Sequence, residues 1–466
     1  MKMRSLKSPQ SSYKNTQSWT DDLPICKNTG IGFSTNQIYR EDGNPQEAHQ
    51  YEDCSCHFKF NDSFYWYALF DGHEGKRAAE FCWQRLTAEI YFSQLDEIKT
   101  NDEVKELLNQ AFITVEKAYM ESLEDVVAER TSLLYDIPAG LNSYEAYQKM
   151  PQVVEGINRL NCELSSGTAA AVALIYKNKL YVANVGNCRV LLCQNDANSV
   201  LKVVQLSVDH DLKNEDELLR LSQIGINTKS LRHSTRLGNQ ENTRCIGNYM
   251  VKGGYKDFED LAQATREPII AEPDIHGGIV LDELSRFLLL ISSGLYKSLE
   301  ATGIEQVNKF IAECVVEQFR EQATLTGVAQ AVVDKAVRLH HDWYMSNSLH
   351  PSCIPKREDI TLVLRNFNFH MPNAITSPTT PTVTFNPVVT ANSLSDQSDY
   401  SATSTTMNNS NITTRTSDTT SSSSRTETDD GIGPDQKIEA YTDFSDFYRN
   451  FEKAKREGTL PEELNF

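Results

Sequence analysis

The chain has 466 residues, 39% of them hydrophobic, and a formal net charge of −19 at pH 7. That length exceeds an ordinary domain of about 100–200 residues, and the acidic balance argues against nucleic acid or an anionic membrane as main partner. There is no apolar run long enough to cross a bilayer and no signal-peptide core after MKMRSLKSPQSSYKN, so the sequence reads as cytoplasmic.

Residues 1–18 are polar and are expected to be disordered, and the globular pattern begins at Trp19. The apolar run 64–70 reads as a strand that delivers Asp71, Gly72 and His73 into a loop, and 76–94 as the helix that follows. Val104, Leu107, Leu108, Phe112, Val115, Tyr119 and Leu123 recur at helical spacing and predict an amphipathic helix over roughly 102–125. Signals weaken over 126–162, where Pro138, Gly140 and Pro151 interrupt any long helix. Runs 169–176 and 180–185, separated by Lys177-Asn178-Lys179, predict a β-hairpin. A short helix at 215–224, a buried strand at 287–292, two helices within 304–345 and a strand at 360–364 complete the region. This mixture fits an α+β layered sandwich.

Composition then changes. Between 371 and 430, 28 of 60 residues are Ser or Thr, too polar to offset the entropy of ordering, so 371–436 is expected to be a disordered linker. Order signals return at 437–458, where Tyr441, Phe444, Phe447, Tyr448 and Phe451 form one helical stripe. Asp443 and Asp446 near its start and Lys453, Lys455 and Arg456 near its end suit the helix macrodipole, and Gly458 is a natural stop. Such a stripe reads as a docking peptide for a groove on another protein; the plainer reading is a helix folding back on the domain. Of the ten cysteines, Cys54-x-Cys56-His57 is the one tight cluster, and no second ligand pair completes a zinc site.

Several segments carry chemistry. FDGHEG, SSGTAAA, NVGNCR, ISSGLYKS and REDIT occur in that order. Together they resemble the metal-dependent type-2C (PPM-type) protein phosphatase family, whose wording is DGHxG, SGTTA, NxGDSR, DGxWD and DN(I/M)T. The resemblance covers 19–370 and implies a four-layer sandwich, two antiparallel sheets flanked by helices. It also implies two divalent ions sharing a hydroxide that attacks phosphorus. On that pattern Asp71 and the Gly72 carbonyl are metal ligands and His73 protonates the leaving group. Glu41-Asp42 matches the water-mediated acidic pair, and Gln37 stands where a phosphate-binding arginine belongs.

The other acidic positions are altered. The ligand aspartate of DGxWD is Ser293, the motif's second aspartate is Lys297, the NxGDSR aspartate is Asn187, and the final ligand is Glu358. Ser, Asn and Lys in place of three carboxylates make the pocket more positive by four charges. A unit charge about 5 Å from a divalent ion is worth several kcal/mol even at an effective dielectric of about 20. A two-metal centre is therefore not expected. No cofactor is required on this reading, with at most one weakly held manganese or magnesium ion at Asp71, Gly72 and Glu358, and a lysine at the mouth takes up part of the vacated cationic space. Ser166-Gly167-Thr168 and Asn184-Val185-Gly186 read as turns that the fold needs with or without catalysis.

A depleted acidic site, a Ser/Thr-rich linker and a terminal YxDFxxFY stripe resemble the phosphatase-like members of the family that bind kinases. The resemblance implies a non-catalytic adaptor that binds and activates a MAP kinase kinase kinase of the TGF-β-activated type. It adds an inhibitor-of-apoptosis protein and a p38-type MAP kinase as partners, the latter through 383–389. The alternative is a weak manganese- or magnesium-dependent Ser/Thr phosphatase. Limited proteolysis is expected to cut first between about 370 and 435 and to leave the domain 19–370 cooperatively folded; protection throughout that stretch would show that it packs on the domain.

Overall fold

The structure, a computed structural model, describes residues 19–40, 45–93, 95, 100–196, 198–232, 234–347 and 356–371. Glu41, Asp42, the Ser/Thr-rich segment and Tyr441, Phe444, Phe447, Tyr448 and Phe451 lie outside these residues.

The strands are β1 (Thr29–Ser34), β2 (Gln37–Tyr39), β3 (Pro45–Gln46), β4 (Cys54–Asn61), β5 (Phe64–His73), β6 (Gly167–Tyr176), β7 (Lys179–Val185), β8 (Arg189–Asn195), β9 (Leu201–Gln205), β10 (Ile246–Gly247), β11 (Asp274–Val280), β12 (Ser285–Ile291), β13 (Lys356–Arg357) and β14 (Ile360–Asn366). One antiparallel sheet runs β11-β7-β6-β5-β4, with β10 on the end of β6; a second runs β1-β14-β12-β8-β9; β13-β2-β3 form a small third. The helices are α1 (Arg77–Tyr91), α2 (Asn101–Glu121), α3 (Glu124–Asp136), α4 (Ser143–Lys149), α5 (Pro151–Ser165), α6 (Glu215–Gln223), α7 (Thr228–Leu231), α8 (Tyr249–Lys252), α9 (Ser293–Ala301), α10 (Val307–Glu321) and α11 (Leu325–Asn347).

Side-chain alternation explains the layering. In β5, Phe64, Trp66, Ala68 and Phe70 face a core shared with Ala79, Cys82, Leu86 and Ile90 of α1 and Val104, Leu108 and Phe112 of α2. Tyr67 and Leu69 face the other way, into a core between the sheets that also takes Leu288 and Leu290 of β12 and Val363 of β14. Phe287, Leu289 and Ile291 then face α10 and α11. The central strands β5, β6, β7 and β12 are buried on both faces, which is why they read as unbroken apolar runs. The expected four-layer sandwich of antiparallel sheets and helices is therefore the observed fold.

Two backbone details fix the packing. Lys177 (φ 48°) and Asn178 (φ 62°) both adopt left-handed conformations in the β6–β7 turn, as a two-residue type I′ hairpin requires. Gly30 and Gly32 of β1 let α11 lie directly on the strand, because a Cβ at either would fall on the backbone of Leu325 or Ala329.

The predicted helix over 102–125 ends earlier, at Glu121, and α3 begins at Glu124. The weakly patterned stretch after it forms α3, α4 and α5, and α3 buries no residue fully, so its sequence carries no apolar stripe. Residues 212–269 build a satellite core around Leu218, Leu221, Ile226, Leu237, Val251 and Leu261. At its centre Glu217 is almost completely buried and accepts from Arg220, Thr243 and Arg244.

Burial opposes the charge of Glu217, but the two guanidiniums outweigh it and hold its pKa at about 2 rather than 4.5. A depressed carboxylate pKa contributes stability that is complete above about pH 4.5 and is lost as pH falls toward 2. Glu217→Gln is expected to destabilise residues 212–269 by about 3 kcal/mol at neutral pH and to flatten their acid sensitivity. Amide hydrogen exchange as a function of pH checks this; unchanged protection would exclude the role.

Candidate functional site

The ten-residue pairing of β5 with β6 runs in continuous register from Phe64 opposite Tyr176 to His73 opposite Gly167, and so carries Asp71 to the sheet end. Thr168 Oγ1 donates to the Asp71 carbonyl at 3.0 Å, and Ser166 Oγ donates to the Gly75 carbonyl at 2.9 Å while accepting from Ala78 N–H. Ser166 thereby fixes the DGHEG loop to the first turn of α1. Gly72 has no side chain because a Cβ there would meet the Glu52 carbonyl at 2.5 Å.

The strand ends open into a cavity of about 460 Å³ whose lining includes His49, Glu52, Asp71, Glu241, Lys297 and Glu358. From the second sheet, β12 runs into α9, and its first residue, Ser293, donates its backbone N–H to Asp71 Oδ2 at 2.8 Å. The Asp71 carboxylate thus sits at a helix N-terminus, where the unpaired N–H groups favour an anion. Burial raises the Asp71 pKa, and the Ser293 N–H works against that rise.

Lys297 lies one turn along α9 and places Nζ 2.6 Å from Glu241 Oε2. Burial opposes its charge, but Glu241, Asp71 and Glu358 together raise its pKa. Asn187 lines the cavity and accepts from Tyr296 OH through its backbone carbonyl at 3.1 Å. Glu358 meets Lys356 Nζ at 3.3 Å and His49 Nε2 at 4.0 Å. His73 lies beside Gly167, and burial pushes its pKa down to about 4, so at neutral pH it is a neutral imidazole.

Sequence reasoning missed three residues here. Glu52 and Asp53 immediately precede β4, whose register sets Cys54 opposite Phe70. Asp53 is buried, accepts from Thr361 Oγ1 at 2.6 Å, and has its pKa raised by burial and then by the Asp71 charge. Glu52 accepts from Gly75 N–H at 2.9 Å and lies 3.3 Å from His49 Nδ1. Asp359 accepts from Asn36 N–H at 2.7 Å and from Glu52 N–H at 3.0 Å, tying the two chain ends of the site together. The missed signal was the hairpin: pairing 54–61 with 64–73 through its short turn sets a Glu-Asp pair against Asp71. Gln37 pairs with Arg357 in the small sheet and is not among the cavity-lining residues.

A family model described as Protein phosphatase 2C matches residues 31–340. The chain belongs to the protein phosphatase 2C family. A Caenorhabditis elegans relative named TGF-beta-activated kinase 1 and MAP3K7-binding protein 1 is 27% identical over 346 residues, covering 74% of this chain and 82% of the relative. Probable protein phosphatase 2C 2 of Paramecium tetraurelia is 30% identical over 256 residues, covering 54% of this chain and 70% of that protein. A solved serine-threonine phosphatase 2C from Toxoplasma gondii aligns with a TM-score of 0.45 at 14% identity, over 74% of this chain and 97% of that one.

Phosphatase 2C enzymes depend on manganese or magnesium, and at the start of α9 the described residues offer such an ion Ser293 and Lys297 but no carboxylate. Among the described residues no group of three or more His, Cys, Asp and Glu is arranged to hold a metal ion. One Asp71 oxygen accepts from the Ser293 N–H, and the Lys297 ammonium lines the same cavity.

Calorimetric titration with manganese is expected to find at most one weakly held ion. The triple change Asn187→Asp, Ser293→Asp and Lys297→Asp is expected to raise manganese affinity about a hundredfold or more. Two tight sites in the unaltered protein would contradict this account of the cavity.

Proposed function

We propose that the protein is a non-catalytic signalling adaptor. It binds and activates a MAP kinase kinase kinase of the TGF-β-activated type in the cytoplasm. Residues 437–458 dock on the kinase, 371–436 tether them, and the phosphatase 2C domain serves as a platform for further partners. Those further partners are an inhibitor-of-apoptosis protein and, through 383–389, a p38-type MAP kinase. The observation that carries the reading is the start of α9, where Ser293 offers Asp71 an N–H rather than a carboxylate and Lys297 follows with a positive charge. The kinase-binding relative and the aromatic stripe Tyr441, Phe444, Phe447, Tyr448 and Phe451 support the partner.

One observation favours a second reading, a weak manganese- or magnesium-dependent phosphatase. Asp53 is buried with its Oδ1 lacking a hydrogen-bond partner, beside an Asp71 whose charge it feels. A single cation would satisfy both carboxylates. A phosphopeptide assay in millimolar manganese separates the two, and robust turnover would sink the adaptor reading.

Phe444 stands centrally in the stripe, three residues from both Tyr441 and Phe447. Truncating a central aromatic in a helix-in-groove contact costs at least about 2 kcal/mol, so Phe444→Ala is expected to weaken kinase binding about thirtyfold. The domain's melting temperature is expected to stay unchanged. Lower stability with kinase binding spared would instead make the segment part of the domain.

A further inference from the structure

Lys297 does more than remove a carboxylate. Its stem is held in place because α9 is fixed at several points. Gly294 lets the helix start directly on the Asp359 backbone, where a Cβ would collide. Tyr296 donates to the Asn187 carbonyl, and the Arg189 guanidinium lies 3.6 Å from the Tyr296 ring centroid, itself held by Asp209 at 2.8 Å. Ser293 and Lys297, four residues apart, share one helix face. The first donates to Asp71, and the second reaches the far wall of the cavity.

That far wall belongs to the satellite core. Glu241, the partner of Lys297, lies in the loop that carries Arg236, Asn239, Gln240 and Asn242 along the cavity. Burial works against the Glu241 charge, and Lys297 is the largest influence that lowers its pKa. One ammonium therefore stands in the field of Asp71 and Glu358 and also ties α9 to residues 212–269.

We propose that the Lys297 ammonium is a built-in counter-cation that replaces a divalent ion in this cavity and latches residues 212–269 over it through Glu241, so that closure of the site is independent of metal. The charge argument is direct. Apart from Lys297, the lining carries Glu52, Asp71, Glu74, Glu241, Glu358 and Asp359 against Arg236, Lys356 and His49, a surplus of carboxylates that some cation must offset. A tethered ammonium does so without the translational entropy a free ion loses on binding. It also has a single charge and can hold one carboxylate closely, and here that carboxylate is Glu241 rather than a phosphate. This inference concerns the cavity alone and does not depend on which partner the protein binds.

The test uses the full chain with hydrogen exchange and thermal melts, each in EDTA and in manganese. In the unaltered protein, residues 236–245 are expected to be equally protected in both, with the same melting temperature. Lys297→Met is expected to speed exchange of 236–245 in EDTA by about tenfold or more. Manganese should restore that protection and raise the variant's melting temperature by about 2–4 °C. Glu241→Gln is expected to loosen the same segment without any rescue by manganese, because the ammonium still occupies the cavity. Stabilisation of the unaltered protein by manganese as large as that of Lys297→Met, or unchanged exchange in both variants, would overturn the proposal. Kinase capture by 437–458 is measured on the same variants and is expected to be unaffected, which separates failure of the latch from failure of the adaptor reading.

Discussion

The hydrogen bond from the Ser293 N–H to Asp71 Oδ2 joins the end of β5 to the start of α9, and with it the two sheets at the mouth of the cavity. Its position follows from the core. The central strands bury both faces, so a polar group placed along one of them would face one of three apolar cores. Only strand ends are open to polar chemistry. Asp71 at the end of β5, Asn187 after β7, Ser293 after β12 and Glu358 before β14 are all such ends. The cavity is where the sandwich permits charge, and the side chains at those ends decide what it does.

The same constraint explains what could be read in the sequence. Buried strands gave unbroken apolar runs at 64–70, 169–176, 180–185 and 287–292, and each forms a strand. The Lys177-Asn178 turn was visible because two polar residues separate two apolar runs. Asp71, Ser293, Lys297 and Glu358 were visible because each stands at a fixed place in a motif of the phosphatase resemblance. Glu52 and Asp53 were not, because β4 (CSCHFKFN) alternates with polar residues and leaves one edge half-exposed. Its register with β5, and not its composition, places Asp53 against Asp71. The satellite core escaped for a different reason: its apolar residues are scattered over helices of four to nine residues and loops, too short for a period to emerge.

Charge in the cavity is arranged as neighbouring pairs rather than as a field converging on one point. Lys297 meets Glu241, Lys356 meets Glu358, and His49 lies beside Glu52. A two-metal hydrolase needs the opposite, with several carboxylates of one sign aimed at a shared centre and stabilised by the ions themselves. Asp53 and Asp71 keep that older relation, each raised in pKa by burial. The half of the site built from the first sheet remains compatible with a cation, while the half built from α9 supplies its own.

Survival of the phosphatase motifs elsewhere is explained by structure without any appeal to catalysis. Asn184 accepts from Val208 N–H at 3.0 Å and donates to the Val208 carbonyl at 2.6 Å, closing an otherwise unpaired segment. Gly186 has φ 90° and no room for a side chain against Ala169, and its N–H donates to His210 Nδ1. Ser166 holds the loop after β5 to α1. Deleting any of these leaves a buried donor or acceptor unsatisfied, at a cost of about 1–3 kcal/mol. Asn187 meets Tyr296 through its backbone carbonyl, so no such demand falls on its side chain, whereas Ser293 holds Asp71 and Lys297 holds Glu241.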